Sequence, residues 1–282
     1  MSSARSFRPR KTYEIGIVVA GHGSRNSDAI LEFREQMRLF VEFQKGIQKG
    51  IIEYGFLEFE TPEIGEAIDC AIKRGAKRVF VLPAMLTAAH HVKIDIPNII
   101  RIAQQKHPLI PICYGRHLDL HPKIVDLCKN RIQQALSEWA SVDSREILLI
   151  VVGRGSSDVA GNKDVITLTR LLGQVFHFGD ARYSYTSVAE PLFKDAMEAT
   201  DATYRAILIL PYLLFSGVLA HKIGESVRQF RENNPNILVK LAQSLGPDIL
   251  VADALLDRLN EAILLEEQEK TDDNKENGKD TA

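Results

Sequence analysis

The chain has 282 residues, of which 45% are hydrophobic and 26% charged, and its formal net charge is −2. That composition fits a soluble globular protein of two domains or one large one, excludes wholesale disorder, and gives no global basic field for nucleic acid. No apolar run reaches the roughly 18–20 residues of a membrane span, and no signal-type apolar core follows the basic start. Cys70, Cys113 and Cys128 are too few and too scattered for a disulfide framework or a metal site, so a reducing compartment is expected: the cytoplasm, or a plastid stroma in a eukaryote.

In chain order, residues 1–11 carry four bases and no acid and read as a solvated tail. Strands are expected near 14–20, 51–57, 78–83 and 109–114, with helices near 27–44, 62–74, 96–106 and 121–140. The apolar runs do not alternate with polar residues, which marks strands covered on both faces. On the first helix Ile30, Phe33, Met37, Phe40 and Val41 form a core-facing stripe. A second set of strands follows near 146–152, 182–188, 205–211 and 237–241, and a last helix near 248–265. Residues 266–282 hold seven acids against three lysines and read as an acidic disordered tail.

The second set repeats the first. IGIVVAGHGS (15–24) returns as ILLIVVGRGS (147–156), and AKRVFVLPAML (76–86) as TYRAILILPYLL (203–214), while ETPEIGEAIDCAI (60–72) pairs with AEPLFKDAMEAT (189–200). The expected organisation is a duplicated α/β chain, with units 12–142 and 143–265 facing each other across a cleft. Ligands of such sheets bind beyond the carboxyl ends of the strands.

Several residues fall on that edge. In Gly21-His22-Gly23-Ser24-Arg25 the glycines permit unusual backbone angles and close ligand approach, and the start of the next helix favours an anion. The same run also reads as a tight turn with a locally bonded His22, a capping Ser24 and a solvated Arg25. His90 and His91 lie on the loop after the third strand, where they could face His22 and hold a divalent metal or move protons. Glu58, just past the second strand, could assist a histidine or reads as an ordinary solvated acid. Asp95, before Pro97, is most simply an N-cap. In the second copy His22 corresponds to Arg154, His90 to Val218, His91 to Leu219 and Glu58 to Ser187. One half therefore carries the imidazoles. The other forms a wall, with Arg154 suited to a carboxylate.

GHGSR (21–25), FLE (56–58), LTAAHHV (86–92) and DIP (95–97) resemble the signature of the sirohydrochlorin chelatases, the CbiX/SirB type of class II chelatase, in its long duplicated form. The resemblance implies two tandem chelatase-like (flavodoxin-like) parallel-sheet domains. It also implies insertion of Co²⁺ or Fe²⁺ into sirohydrochlorin, toward cobalamin or sirohaem. The family's catalytic and metal-binding histidines carry over to His22 and His91, with His90 and Glu58 as secondary metal candidates. Ser24, Arg25 and Arg154 are the substrate-binding candidates. Cobalt or iron is substrate metal here, with no permanently bound cofactor and no iron–sulfur cluster expected. The expected partners are the tetrapyrrole and a divalent metal, with no nucleic acid and no membrane, and a duplicated chain can form its cleft as a monomer. Both roles of the histidines need neutral imidazole, so activity is expected to fall below about pH 6–6.5. A non-catalytic metal or tetrapyrrole carrier would use the same histidines, and catalytic turnover separates the two readings.

Overall fold

A computed structural model of the chain describes residues 15–44, 50–87, 90–139, 141–200 and 203–277, with side chains as far as Gln268 and at Thr271. The basic segment 1–11, Ala88 and Ala89 of the histidine loop, and 278–282 of the acidic stretch lie outside the described residues.

The first half alternates β1 (Ile15–Gly21), α1 (Ser27–Gln44), β2 (Gly50–Phe56), α2 (Ile64–Lys73), β3 (Arg78–Pro83), α3 (Ile96–Lys106), β4 (Ile112–Tyr114) and α4 (Pro122–Leu136). The second half repeats the pattern as β5 (Ile147–Gly153), α5 (Val159–Phe176), β6 (Asp180–Tyr185), α6 (Phe193–Glu198), β7 (Ala206–Pro211), α7 (Val218–Asn233), β8 (Leu238–Leu241) and α8 (Ile249–Asn277). Each half builds one parallel four-stranded sheet, ordered β2-β1-β3-β4 and β6-β5-β7-β8. This is the start of the flavodoxin-like order. β4 begins later than its apolar run because Pro108 and Pro111 lack the N–H a ladder requires.

The central strands are buried on both faces, which is why their sequences do not alternate. Ile17 lies between Ile52 and Phe80 in the ladder. With Val19 it faces a core that runs through both halves and includes Leu149 and Val151 of β5. Val18 and Ala20 face the opposite way, into a separate core with Ile64, Ile68 and Ile96 of α2 and α3. The second half has the equivalent outer core, built on Phe193, Ile223 and Val227.

The shared inner core depends on an exchange of helices. α4 packs against β7 of the second sheet, and α8 packs against α1 and β3 of the first half. Each exchanged helix plants a buried arginine in the other half. Arg131 of α4 donates to the carbonyls of Ser244 and Leu245 at 2.9 and 2.8 Å and to Asp248 at 3.0 Å. Arg258 of α8 donates to the carbonyls of His117 and Leu118 at 2.9 and 3.1 Å and to Asp119 at 2.6 Å.

The expected disordered tail from 266 onward is corrected as far as Asn277, because α8 continues through it. Glu266 falls one turn beyond Ala262 on the buried face, is only 6% exposed, and accepts from Arg78 Nη1 at 2.8 Å. Among the described residues no helix is long and apolar enough to cross a membrane.

Candidate metal centre in the cleft between the halves

β1 delivers its last residue, Gly21, to the carboxyl edge of the first sheet, and His22 follows. Gly23 has φ +88°, and any Cβ there would collide with the carbonyl of Glu58. Gly155, at φ +86°, stands in the same relation to Ser187. These two turns accept only glycine, for steric reasons. The close approach lets Leu57 N donate to Gly21 O at 2.9 Å and Glu58 N to His22 O at 3.1 Å. The loop after β2 is thereby locked beside the loop after β1, and Glu58 Oε1 comes to 3.5 Å from His22 Nε2.

His91 opens a π-helical turn, His91–Asp95, that runs directly into α3. The expected N-cap at Asp95 is corrected: the residue has helical angles and makes no side-chain cap bond. Its carboxylate instead accepts from His91 Nδ1 at 2.7 Å. The His91 and His22 rings meet edge to face, with centroids 4.8 Å apart. One ligand atom from each of His22, Glu58 and His91 lies within 4.8 Å of the others. Ligands held about 2.1 Å from a common ion stand roughly 3–4 Å apart, so contraction by about 1 Å completes the fit.

Hydrogen bonds set the tautomers. Gly23 O can only accept, so His22 Nδ1, 3.1 Å away, carries the proton. Asp95 assigns the proton of His91 to Nδ1 in the same way, an arrangement that holds a metal-binding imidazole in orientation. Both Nε2 lone pairs are thereby turned away from the backbone and toward the cleft. Burial lowers the His22 pKa below the usual imidazole value, and the Arg154 charge lowers it further. The guanidinium reaches across from the turn after β5, with Nη1 3.1 Å from His22 Nε2.

The other candidates separate. His90 is exposed, lies outside the group of three, and has its Nε2 3.8 Å from Asp95 Oδ1. Ser24 lines the cleft, but its hydroxyl accepts from Asn26 N at 3.0 Å, so it braces the turn. The cap of α1 is Asn26, whose Oδ1 accepts from Asp28 N and Ala29 N at 2.9 and 3.1 Å. Arg25 lines the cleft and lies 4.5 Å over the Phe59 ring.

The cleft has a volume of about 620 Å³ and is walled by loops from the carboxyl edges of both sheets. Lys93 pairs with Asp158, and Glu32 accepts from Ser216 Oγ at 2.6 Å, so both sides of the cleft are tied across the halves. At the rim, Phe59 and Val188 occupy mirror positions with φ +67° and +70°. Both are exposed although apolar. Positive φ is strained for such side chains, and strain of this kind gathers at ligand sites.

The CbiX family model matches the chain twice, over residues 16–135 and 148–262. The chain belongs to the CbiX family. This CbiX protein is 34% identical to the sirohydrochlorin cobaltochelatase of Priestia megaterium, over 83% of its own length and 75% of the relative's. It is 31% identical to the sirohydrochlorin ferrochelatase of the same organism, over 83% and 85% of the two chains. Its fold matches SirB from Bacillus subtilis with Fe³⁺ at a TM-score of 0.76 and 27% identity, covering 88% and 95% of the chains. SirB from Bacillus subtilis subspecies spizizenii in complex with cobalt matches at a TM-score of 0.72 with the same identity and coverage.

Proposed function

We propose that this chain is a sirohydrochlorin chelatase that inserts Co²⁺ or Fe²⁺ into the tetrapyrrole, on the way to cobalamin or sirohaem. The observation that carries the reading is the grouping of His22, Glu58 and His91 as possible ligands of one ion, with both histidines lining the open cleft of a CbiX protein. The two Nε2 atoms and the Glu58 carboxylate take the incoming ion from water. The macrocycle enters the same cleft, with its apolar ring against the apolar lining and its rim carboxylates near Arg25 and Arg154. As the ion passes to the ring nitrogens, two pyrrole N–H protons must leave. The imidazoles released by the metal have free lone pairs at Nε2 and accept those protons. One chain supplies both walls of the cleft, so a monomer is sufficient.

The test is insertion of Co²⁺, Fe²⁺ or Ni²⁺ into sirohydrochlorin, followed by absorbance and compared by specificity constant. His22→Ala and His91→Ala should each lower the rate by about a hundredfold or more, the usual scale for losing a proton-transferring group. Circular dichroism should be unchanged, since both side chains face the cleft. Wild-type rates in both variants would remove the assignment, and binding without turnover in the native protein would leave a carrier instead.

A further inference from the structure

We propose that Arg154 gates the metal site: its guanidinium holds the ligand lone pair of His22 until the carboxylates of the tetrapyrrole draw it away. The inference rests on the chelatase reading and adds an order of events to it.

The His22 tautomer leaves Nε2 as an acceptor, and Arg154 Nη1 donates to it at 3.1 Å. That lone pair is the one His22 would offer a metal, and the donor already on it is a cation. Arg154 must therefore move before an ion can coordinate, both to clear the lone pair and to remove a like charge.

Arg154 is also free to move. It is exposed, and among the described residues no carboxylate pairs with its side chain. Its position is held by the backbone alone, through Gly155 at φ +86° and the Arg154 carbonyl, which accepts from Ser187 N at 3.2 Å and Thr186 Oγ1 at 2.9 Å. A guanidinium without a carboxylate, facing the cleft, is matched to the propionate and acetate groups of the substrate, which offer bidentate pairing far stronger than a neutral imidazole. A carboxylate arriving with the macrocycle pulls the guanidinium off Nε2 and exposes the lone pair in one movement. Metal and tetrapyrrole binding are then coupled favourably and, by linkage, reciprocally. The degenerate half thus contributes more than a wall: it replaces the histidine of the active half with the group that holds that histidine in check.

The test measures Co²⁺ binding without tetrapyrrole, from the visible absorption of the bound ion, in the native protein, Arg154→Ala and His22→Ala. Arg154→Ala should bind Co²⁺ about tenfold more tightly, the scale of losing one competing charged hydrogen bond at an exposed position. Its KM for sirohydrochlorin should rise by a similar factor. A merely structural arginine would leave metal affinity unchanged or lower it, so either result in Arg154→Ala overturns the gate. An unchanged KM overturns the recognition half of the proposal. His22→Ala separates the two levels. If it binds Co²⁺ as the native protein does, the metal-site reading itself falls. If it loses Co²⁺ while Arg154→Ala gains none, only the gate falls.

Discussion

His91 shows how much of a site depends on one neighbour. A free imidazole samples two tautomers and many orientations, whereas the 2.7 Å bond to Asp95 selects one of each. Asp95→Asn keeps an acceptor but removes the carboxylate charge from the bond that orients the ring. Insertion should fall by about tenfold to a hundredfold, with the fold unchanged by circular dichroism. An unaltered rate would show that Asp95 is only structural. The acid limb of the pH profile belongs to the same scale. Burial and Arg154 lower the His22 pKa, so the proton that blocks Nε2 binds only at pH values below the usual 6.5. Activity should therefore persist at pH 6.5 and fall at more acidic values, lower than His22 would give as a free imidazole. Initial rates from pH 5 to 8 check this. In Arg154→Ala the limb should move back up, because the larger of the charges that lower it has gone. The His91–Asp95 pair was open to reading in the sequence, since residues four apart on a helix are neighbours. Pro97 pointed instead to a cap, and the π-helical turn that carries the pair has no such local signature.

At the scale of elements, the two arginines that anchor the exchanged helices dominate. Arg258 satisfies two carbonyls and Asp119 while almost fully buried. Removing it takes the donor from Asp119 Oδ1, whose carboxylate keeps Arg116, and from two backbone carbonyls. Arg258→Ala should cost about 3 kcal/mol in urea unfolding, the usual cost of breaking a buried pair by removing one partner. Arg131→Ala, its mirror in α4, should behave alike. A loss below about 1 kcal/mol would mean that water or a neighbour replaces the guanidinium. The strands and most helices were legible because hydrophobic periodicity is a local signal. The continuation of α8 past Leu265 was not: its acids look solvated until Arg78, nearly two hundred residues earlier, is brought against Glu266.

Taken whole, the molecule is two halves that do not close separately. The inner core runs through both sheets, and each half lends a helix to the other. Residues 1–141 expressed alone should give no folded monomer, because β3 and α1 would lose the apolar face of α8 while α4 would lose β7. Sedimentation and circular dichroism should find an unfolded chain or a dimer that exchanges α4, and a folded monomer would contradict the exchange. The sequence determined by itself the α/β class, the duplication, and the sheet edge on which His22, Glu58 and His91 stand, because strand burial, glycine turns and repeats are written in short stretches of chain. Only the tertiary structure decided which helix belongs to which half, that Asp95 orients His91, and that Arg154 lies on His22. Those relations join residues through packing across the whole fold, and no periodicity within a single segment encodes them.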